Sequence, residues 1–231
     1  MVICQSMRMK PEIEYSLYLV TDREMIGRRS FSETVMAAVR GGVNIVQLRE
    51  KNCSTREYIE LAGALKSLLS DSRVPLIIND RVDVAVASGA DGVHIGQSDM
   101  PYTIARKMMG PGAIIGLTVE SEEQAQKAEQ LDADYLGVST IFPTPTKTDT
   151  EYVWGVEGLK KLAMISRHRL VAIGGLNESN AGEIINAGAD GVAVVSAICS
   201  AQDPESAARE LRKIIDFTRK GKNPHETIRT R

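Results

Sequence analysis

The sequence predicts an α/β fold, a single-domain (β/α)8 TIM barrel, on three observations. Eight strand-length runs rich in Val, Ile and Leu recur along the 231 residues, helix-like stretches separate them, and the pentapeptide GADGV returns at half-chain distance. The runs are LYLVT from Leu17, VNIVQL from Val43, PLIIN from Pro75, GVHI from Gly92, AIIGLT from Ala113, DYLGVS from Asp134, RLVAIGG from Arg169 and GVAVVS from Gly191. Each is apolar throughout rather than alternating, as parallel strands covered on both faces require. A doubly wound open sheet is the main rival. Its glycine fingerprint is missing, since the first run ends in TDRE.

The intervening segments read as helices. Ser54 to Leu69 places Ile59, Leu61, Ala62, Leu65, Leu68 and Leu69 on one stripe. Ser121 to Leu131 opens with SEEQ, a capping-box pattern, and Asn177 to Ala187 opens with a capping asparagine. Helix exits carry Gly41, Gly42, Gly89 and Gly188, which suits left-handed C-caps. GADGV stands at Gly89–Val93 and Gly188–Val192, with DADYL at Asp132–Leu136 as a looser echo, so the motif enters strands four, eight and six. Eight β-α units in this length is the economy of a closed barrel. The expected domain is 1–219, with 1–15 as a leader segment and 220–231 as a disordered basic tail.

Composition bounds the function. The chain is 43% apolar and 25% charged, with a formal charge of −2. Such a balance gives no whole-molecule reason to expect nucleic acid or an anionic membrane as partner. Cys4, Cys53 and Cys199 are scattered, with no CxxC, so neither a disulfide framework nor a zinc site is expected. No apolar stretch is long enough for a signal peptide or a bilayer span, and a cytoplasmic protein is expected.

In a barrel of this kind chemistry sits at the C-terminal ends of the strands. Strand two ends in Gln47, Arg49, Glu50 and Lys51, and strand three in Asn79 and Asp80. Strand four is followed by Gln97, Ser98 and Asp99, and strand five ends at Thr118. Strand six ends at Ser139, ahead of the stretch IFPTPTKTD with Thr144, Thr146 and Lys147. Strand seven ends in Gly174 and Gly175, strand eight in Ser196. Arg49, Lys51 and Lys147 are three cations that would converge from two loops. Asp80 and Asp99 are two carboxylates from adjacent strands. Oxygen donors without a Cys/His cluster suit Mg²⁺, and cations facing it point to a polyphosphate. The Gly174–Gly175 and Ser196 turns occupy the usual barrel phosphate site, where backbone N–H groups hold a monophosphate.

Each residue also has a plainer reading. The Arg49–Glu50–Lys51 run can be solvated loop charge, Asp80 and Asp99 can cap the following helices, and Gly174–Gly175 can be only a tight turn. A charged set at consecutive strand ends on one face weighs against these readings together. His94 is expected to pack in the barrel interior, Trp154 to pack beyond strand six, and Cys53 to be an unactivated thiol.

Taken in order, VQLREK (Val46–Lys51), IINDRVDVA (Ile77–Ala85), GADGVHIGQSDMP (Gly89–Pro101), IFPTPTKTD (Ile141–Asp149) and AIGGLNESN (Ala172–Asn180) resemble the thiamine-phosphate synthase family, from Tyr18 to Ile198. The resemblance implies a transferase that joins hydroxymethylpyrimidine diphosphate to a thiazole phosphate, or to its carboxylated precursor with loss of CO2. Pyrophosphate leaves and thiamine phosphate forms. It further implies that Gln47, Arg49, Lys51, Asn79, Thr118 and Lys147 hold the pyrimidine diphosphate, with Arg49, Lys51 and Lys147 catalytic. Asp80 and Asp99 would hold Mg²⁺, and Thr144, Thr146, Gly175, Val195 and Ser196 the thiazole phosphate. The expected partners are small phosphorylated molecules, not nucleic acid or membrane. The chain departs from the family's common pattern in two places. It has Thr118-Val119-Glu120 where Ser-x-His is usual, and Gly137-Val138-Ser139-Thr140 where Gly-x-Gly-Pro is usual. The alternatives are a thiazole tautomerase of the same family and a non-catalytic phosphate-ligand sensor on the same barrel. An aldolase-like barrel would want an activated Schiff-base lysine at a strand end instead.

Overall fold

The computed structural model describes residues 13–144 and 152–221. Eight strands alternate with helices: β1 (Leu17–Val20), α1 (Arg23–Ile26), α2 (Phe31–Arg40), β2 (Ile45–Leu48), α3 (Thr55–Leu69), β3 (Leu76–Asn79), α4 (Val82–Ser88), β4 (Gly92–Ile95) and α5 (Tyr102–Met109). They continue as β5 (Ile114–Val119), α6 (Glu122–Ala128), β6 (Tyr135–Ser139), α7 (Gly155–Ile165), β7 (Arg169–Ile173), α8 (Ala181–Asn186), β8 (Gly191–Val194), α9 (Ser196–Cys199) and α10 (Pro204–Lys220). All pairings are parallel and sequential, and β1 pairs with both β2 and β8, which closes the barrel. The expected (β/α)8 barrel is the fold observed. The leader to residue 12 and the tail from 222 lie outside the described residues.

Because both strand faces are covered, the apolar runs feed two cores. Leu17, Leu19, Val46, Leu48, Leu76 and Ile78 point outward and pack under the helices. Their neighbours Tyr18, Val20, Ile45, Ile77, Ile114 and Tyr135 point into the barrel. Alternation along a strand then explains the polar residues at its end. Gln47 lies two residues beyond Ile45, and Asn79 two beyond Ile77, so both polar side chains continue the interior rows and emerge at the C-terminal mouth.

The GADGV repeat has a structural cause. Asp91 donates its N–H to the Leu76 carbonyl at 2.9 Å while its carboxylate accepts the Leu76 N–H at 2.8 Å. Asp134 does the same to Ile115 at 2.9 and 2.8 Å, and Asp190 to Leu170 at 2.7 and 2.8 Å. Asn44 completes the set on Leu17 at 2.8 and 3.2 Å. One residue before each even strand thus latches the start of the preceding odd strand and satisfies both of its polar backbone groups. A cation backs every latch: Lys66 on Asp91, Arg106 on Asp134, Arg169 on Asp190 and Arg212 on Asn44.

Several helix boundaries differ from expectation. Asn177 does not open a helix. Its side chain accepts from the Ser179 N–H in a turn, and α8 starts four residues later with Asn180 at the N-cap. Ser121 caps α6 by accepting from Gln124 N–H, but Gln124 returns its bond to the Glu120 N–H instead of closing a box. The complete capping box is at Ser54 and Glu57. Of the four glycines, Gly89 alone is itself a left-handed C-cap; Gly42 and Gly188 take positive φ one residue past their caps, and Gly41 is right-handed. Trp154 is buried and donates Nε1–H to the Val119 and Ser139 carbonyls, as a packing residue.

The latches differ in burial, and their removal should cost accordingly. The Asp134 and Asp91 side chains are 9% and 34% exposed. Asp134→Ala takes the carboxylate from a half-buried Arg106 and the acceptor from the Ile115 N–H, and should lose about 2–3 kcal/mol. Asp91→Ala, more exposed, should lose about 1–2 kcal/mol. Urea melts of the two variants check this, and equal losses would refute the burial argument.

Candidate functional site

The C-terminal mouth opens into one cavity of about 800 Å³. It is lined by Gln47, Arg49, Lys51, Asn79, Asp80, Asp99, Thr118, Thr144, Gly175, Val195 and Ser196, every expected site residue that lies among those described. Thr146 and Lys147 lie outside the described residues. Gln97, Ser98, Glu120, Ser139, Thr140 and Gly174 line the cavity as well.

The cationic side is shaped by a residue that faces away from it. Glu50, between Arg49 and Lys51, is drawn off by a bidentate pair with Arg23, at 2.8 Å from Nε and 2.7 Å from Nη2. Strand alternation then leaves Arg49 and Lys51 toward the cavity. Tyr58, buried in α3, donates to the Leu48 carbonyl at 2.7 Å and braces the end of β2 just before this loop. Among the described residues the Arg49 guanidinium has no side-chain partner, so its donors are available to a ligand. Of this triplet Glu50 is paired away from the cavity, while Arg49 and Lys51 line it.

Neither aspartate caps its helix. Asp80 takes φ 61°, in the left-handed region that few non-glycine residues adopt, and the N-cap of α4 is Arg81 with no side-chain bond. The Asp80 carboxylate instead accepts from Lys51 Nζ at 2.8 Å. Asp99 accepts from the Gly96 N–H at 2.7 Å, and the N-cap of α5 is Pro101. The two carboxyls act on each other's titration, and their environments push them apart. Burial acts to raise the Asp80 pKa, but the bond from Lys51, with the neighbouring Asp99 carboxyl, outweighs it and holds the group below its ordinary value. At Asp99 burial leads, and with the neighbouring Asp80 carboxylate it overcomes the Gly96 N–H, so the group lies above.

Two facing carboxylates under a lysine can hold a hard divalent cation. Among the described residues no cluster of three or more His, Cys, Asp or Glu side chains could hold a metal by itself. That donor set fits Mg²⁺, which takes one or two carboxylates and completes its shell with phosphate oxygens and water.

Opposite lie the turns after β7 and β8. Gly174 and Gly175 have φ 104° and 66°, and a Cβ on them would stand 2.7 Å from Thr140 Oγ1 and 2.8 Å from Phe142 Cβ. Glycine is required here by conformation and by the close approach of the segment after β6. Ser196 opens α9, its N–H has no intrahelical acceptor, and it borders the same cavity.

The floor holds what sequence reasoning missed. Tyr18, His94 and Tyr135 line the cavity, and His94 bonds through both ring nitrogens, to Tyr135 and to Thr118. His94 is interior, as expected, but it is part of the cavity surface and not packing alone. The signal available was its inward position on β4, two strands from Tyr135 on β6 and three from Tyr18 on β1. Cys53 is half-buried, and burial raises its thiol pKa, so it is not activated.

Comparison with known proteins gives the family. Residues 17–198 match the family described as thiamine monophosphate synthase. The chain belongs to the thiamine monophosphate synthase family, and it is a transferase. The thiamine-phosphate synthase of Albidiferax ferrireducens is 55% identical over 200 residues, covering 87% of this chain and 91% of that protein. That of Vibrio campbellii is 53% identical over 197 residues, covering 85% and 96%. The solved thiamine phosphate pyrophosphorylase of Pyrococcus furiosus superposes with a TM-score of 0.81 at 41% identity, covering 89% of this chain and 97% of that one. No helix among the described residues is long and apolar enough to cross a membrane.

Lys51 sets the protonation of Asp80, and the sign can be tested. A carboxyl with a depressed folded pKa adds stability that is present above its unfolded value, about 3.9, and is lost as pH falls through the folded one. In Lys51→Met burial becomes the dominant influence, so the Asp80 pKa should rise. The variant should be less stable than wild type at neutral pH, with the gap closing below about pH 4. Carboxyl ¹³C titration and urea melts across pH read both effects. An Asp80 midpoint unmoved by the substitution would remove Lys51 from this role.

Proposed function

We propose that this chain is a thiamine-phosphate synthase that couples hydroxymethylpyrimidine diphosphate to a thiazole phosphate and releases pyrophosphate. The observation that carries this reading is a single cavity with two anion-handling sides in a chain of this family. One side has Arg49, Lys51 and the Asp80–Asp99 pair; the other has Gly174, Gly175 and Ser196. Such a cavity suits two phosphorylated substrates held with their reacting ends together.

The reaction breaks the C–O bond at the exocyclic methylene of the pyrimidine, and its electron pair leaves with pyrophosphate. The thiazole nitrogen lone pair then forms the new C–N bond. The aminopyrimidine ring can carry the positive charge between these events, so little acid–base machinery is needed. Arg49, Lys51 and Lys147 would bind the diphosphate and stabilise the charge that grows on it, an effect worth most in a cavity that excludes water. Gln47, Asn79 and Thr118 would orient the pyrimidine. Gly175, Ser196, Val195, Thr144 and Thr146 would seat the thiazole phosphate and hold its nitrogen within reach of the methylene. Asp80 and Asp99 would hold Mg²⁺, which when bound neutralises charge on the leaving pyrophosphate.

Purified protein should form thiamine phosphate and release pyrophosphate only when both substrates and Mg²⁺ are present, and EDTA should stop it. No thiamine phosphate in the presence of Mg²⁺ would sink the synthase reading. Lys147→Ala should lower kcat by roughly 10²-fold or more if this lysine acts on the transition state. A rise in KM alone would reduce it to ground-state binding.

A further inference from the structure

The cavity floor carries an unbroken run of side-chain hydrogen bonds. Gln47 Nε2 donates to the Tyr18 hydroxyl at 2.8 Å, and the Tyr18 and Tyr135 hydroxyls are 2.8 Å apart. Tyr135 meets His94 Nδ1 at 2.9 Å, and His94 Nε2 meets Thr118 Oγ1 at 2.7 Å. The run passes from β2 through β1, β6 and β4 to β5, crossing the barrel. It is sterically fitted: the His94 and Tyr135 rings stack with centroids 5.4 Å apart. A Cβ on Gly116 would lie 2.1 Å from Tyr135 Cζ, and one on Gly137 2.8 Å from His94 Cε1. Two glycines on neighbouring strands therefore leave the volume that the rings fill.

Each hydroxyl has one proton to give, so a chain of this kind runs in one direction. Tyr18 accepts from Gln47 and passes its own proton toward Tyr135. Tyr135 then donates to Nδ1, and the imidazole proton must sit on Nε2, facing Thr118. Thr118 accepts it and keeps its own hydroxyl proton. Burial raises the pKa of both tyrosines, so each retains the proton the chain needs.

We propose that Gln47, Tyr18, Tyr135 and His94 form one positioning unit whose direction is set at Gln47, placing the His94 proton on Nε2 and making the Thr118 hydroxyl a donor into the cavity. The ligand class that suits it is a heteroaromatic ring with an acceptor nitrogen over Thr118. That use of the donor rests on the synthase reading; the direction of the chain does not. Tyr18, Tyr135 and His94 act here through Thr118.

The test reads the His94 tautomer by long-range ¹H–¹⁵N correlation on the ligand-free protein, the signal being assigned by its loss in His94→Gln. Wild type should show the proton on Nε2. In Gln47→Glu the carboxylate has no proton to give and must accept from Tyr18, so the chain reverses and the proton should move to Nδ1. Tyr135→Phe keeps the ring but cuts the chain, and in that background Gln47→Glu should leave the tautomer unchanged. A purely structural floor would not transmit the change. A wild-type Nδ1–H or doubly protonated ring would overturn the proposal. So would an unchanged tautomer in Gln47→Glu, or a response that persists through Tyr135→Phe. All three are read without turnover, so failure of the coupling assay would leave this result standing.

Discussion

Four Asx latches at the strand starts set the register on which everything at the other end of the barrel depends. Asn44, Asp91, Asp134 and Asp190 each close a two-bond ring with the backbone at the start of the preceding strand. With strand starts tied in pairs, a one-residue slip would break a charged latch and also turn every interior side chain outward. The latch before β4, β6 and β8 explains why both GADGV copies and their looser echo DADYL carry an aspartate just before the strand. It also divides the barrel, as is usual for this fold, into an N-terminal face that provides stability and a C-terminal face that provides chemistry.

Register fixed in this way delivers polar side chains to the mouth by alternation alone. Gln47, Asn79 and Thr118 continue interior rows begun by Ile45, Ile77 and Ile114. The loops then add what strands cannot. Asp80 adopts a left-handed backbone conformation that turns its carboxylate to Lys51 and Asp99 instead of to the helix it precedes. Glu50 is held back by Arg23, which separates the signs in the Arg-Glu-Lys run and keeps a carboxylate out of the cationic side. Strain and charge separation of this sort are stored where ligands bind and supported by the surrounding fold.

Much of the fold and part of the site were legible in sequence. Uniformly apolar runs identify doubly covered strands because both faces must be buried, and the strand ends follow from them. Asp80 and Asp99 were ambiguous, since an aspartate before a helix is a favoured N-cap, and only the folded backbone shows that neither takes that position. The hydrogen-bonded floor was not legible. Tyr18, His94 and Tyr135 are 41 or more residues apart along the chain and meet only because closure brings β1, β4 and β6 around one interior. A histidine within an apolar run reads as packing, and nothing local shows that both its nitrogens are engaged.

The number and kind of elements, the barrel class and the charged strand ends follow from residue order alone, because these depend on periodicity and local chemistry. Tertiary contacts set the direction in which each loop carboxylate points, the role of the GADGV aspartate as a latch, and the meeting of the β2, β3, β7 and β8 ends in one cavity. These depend on distances between residues far apart in the chain, which exist only once eight parallel strands have closed.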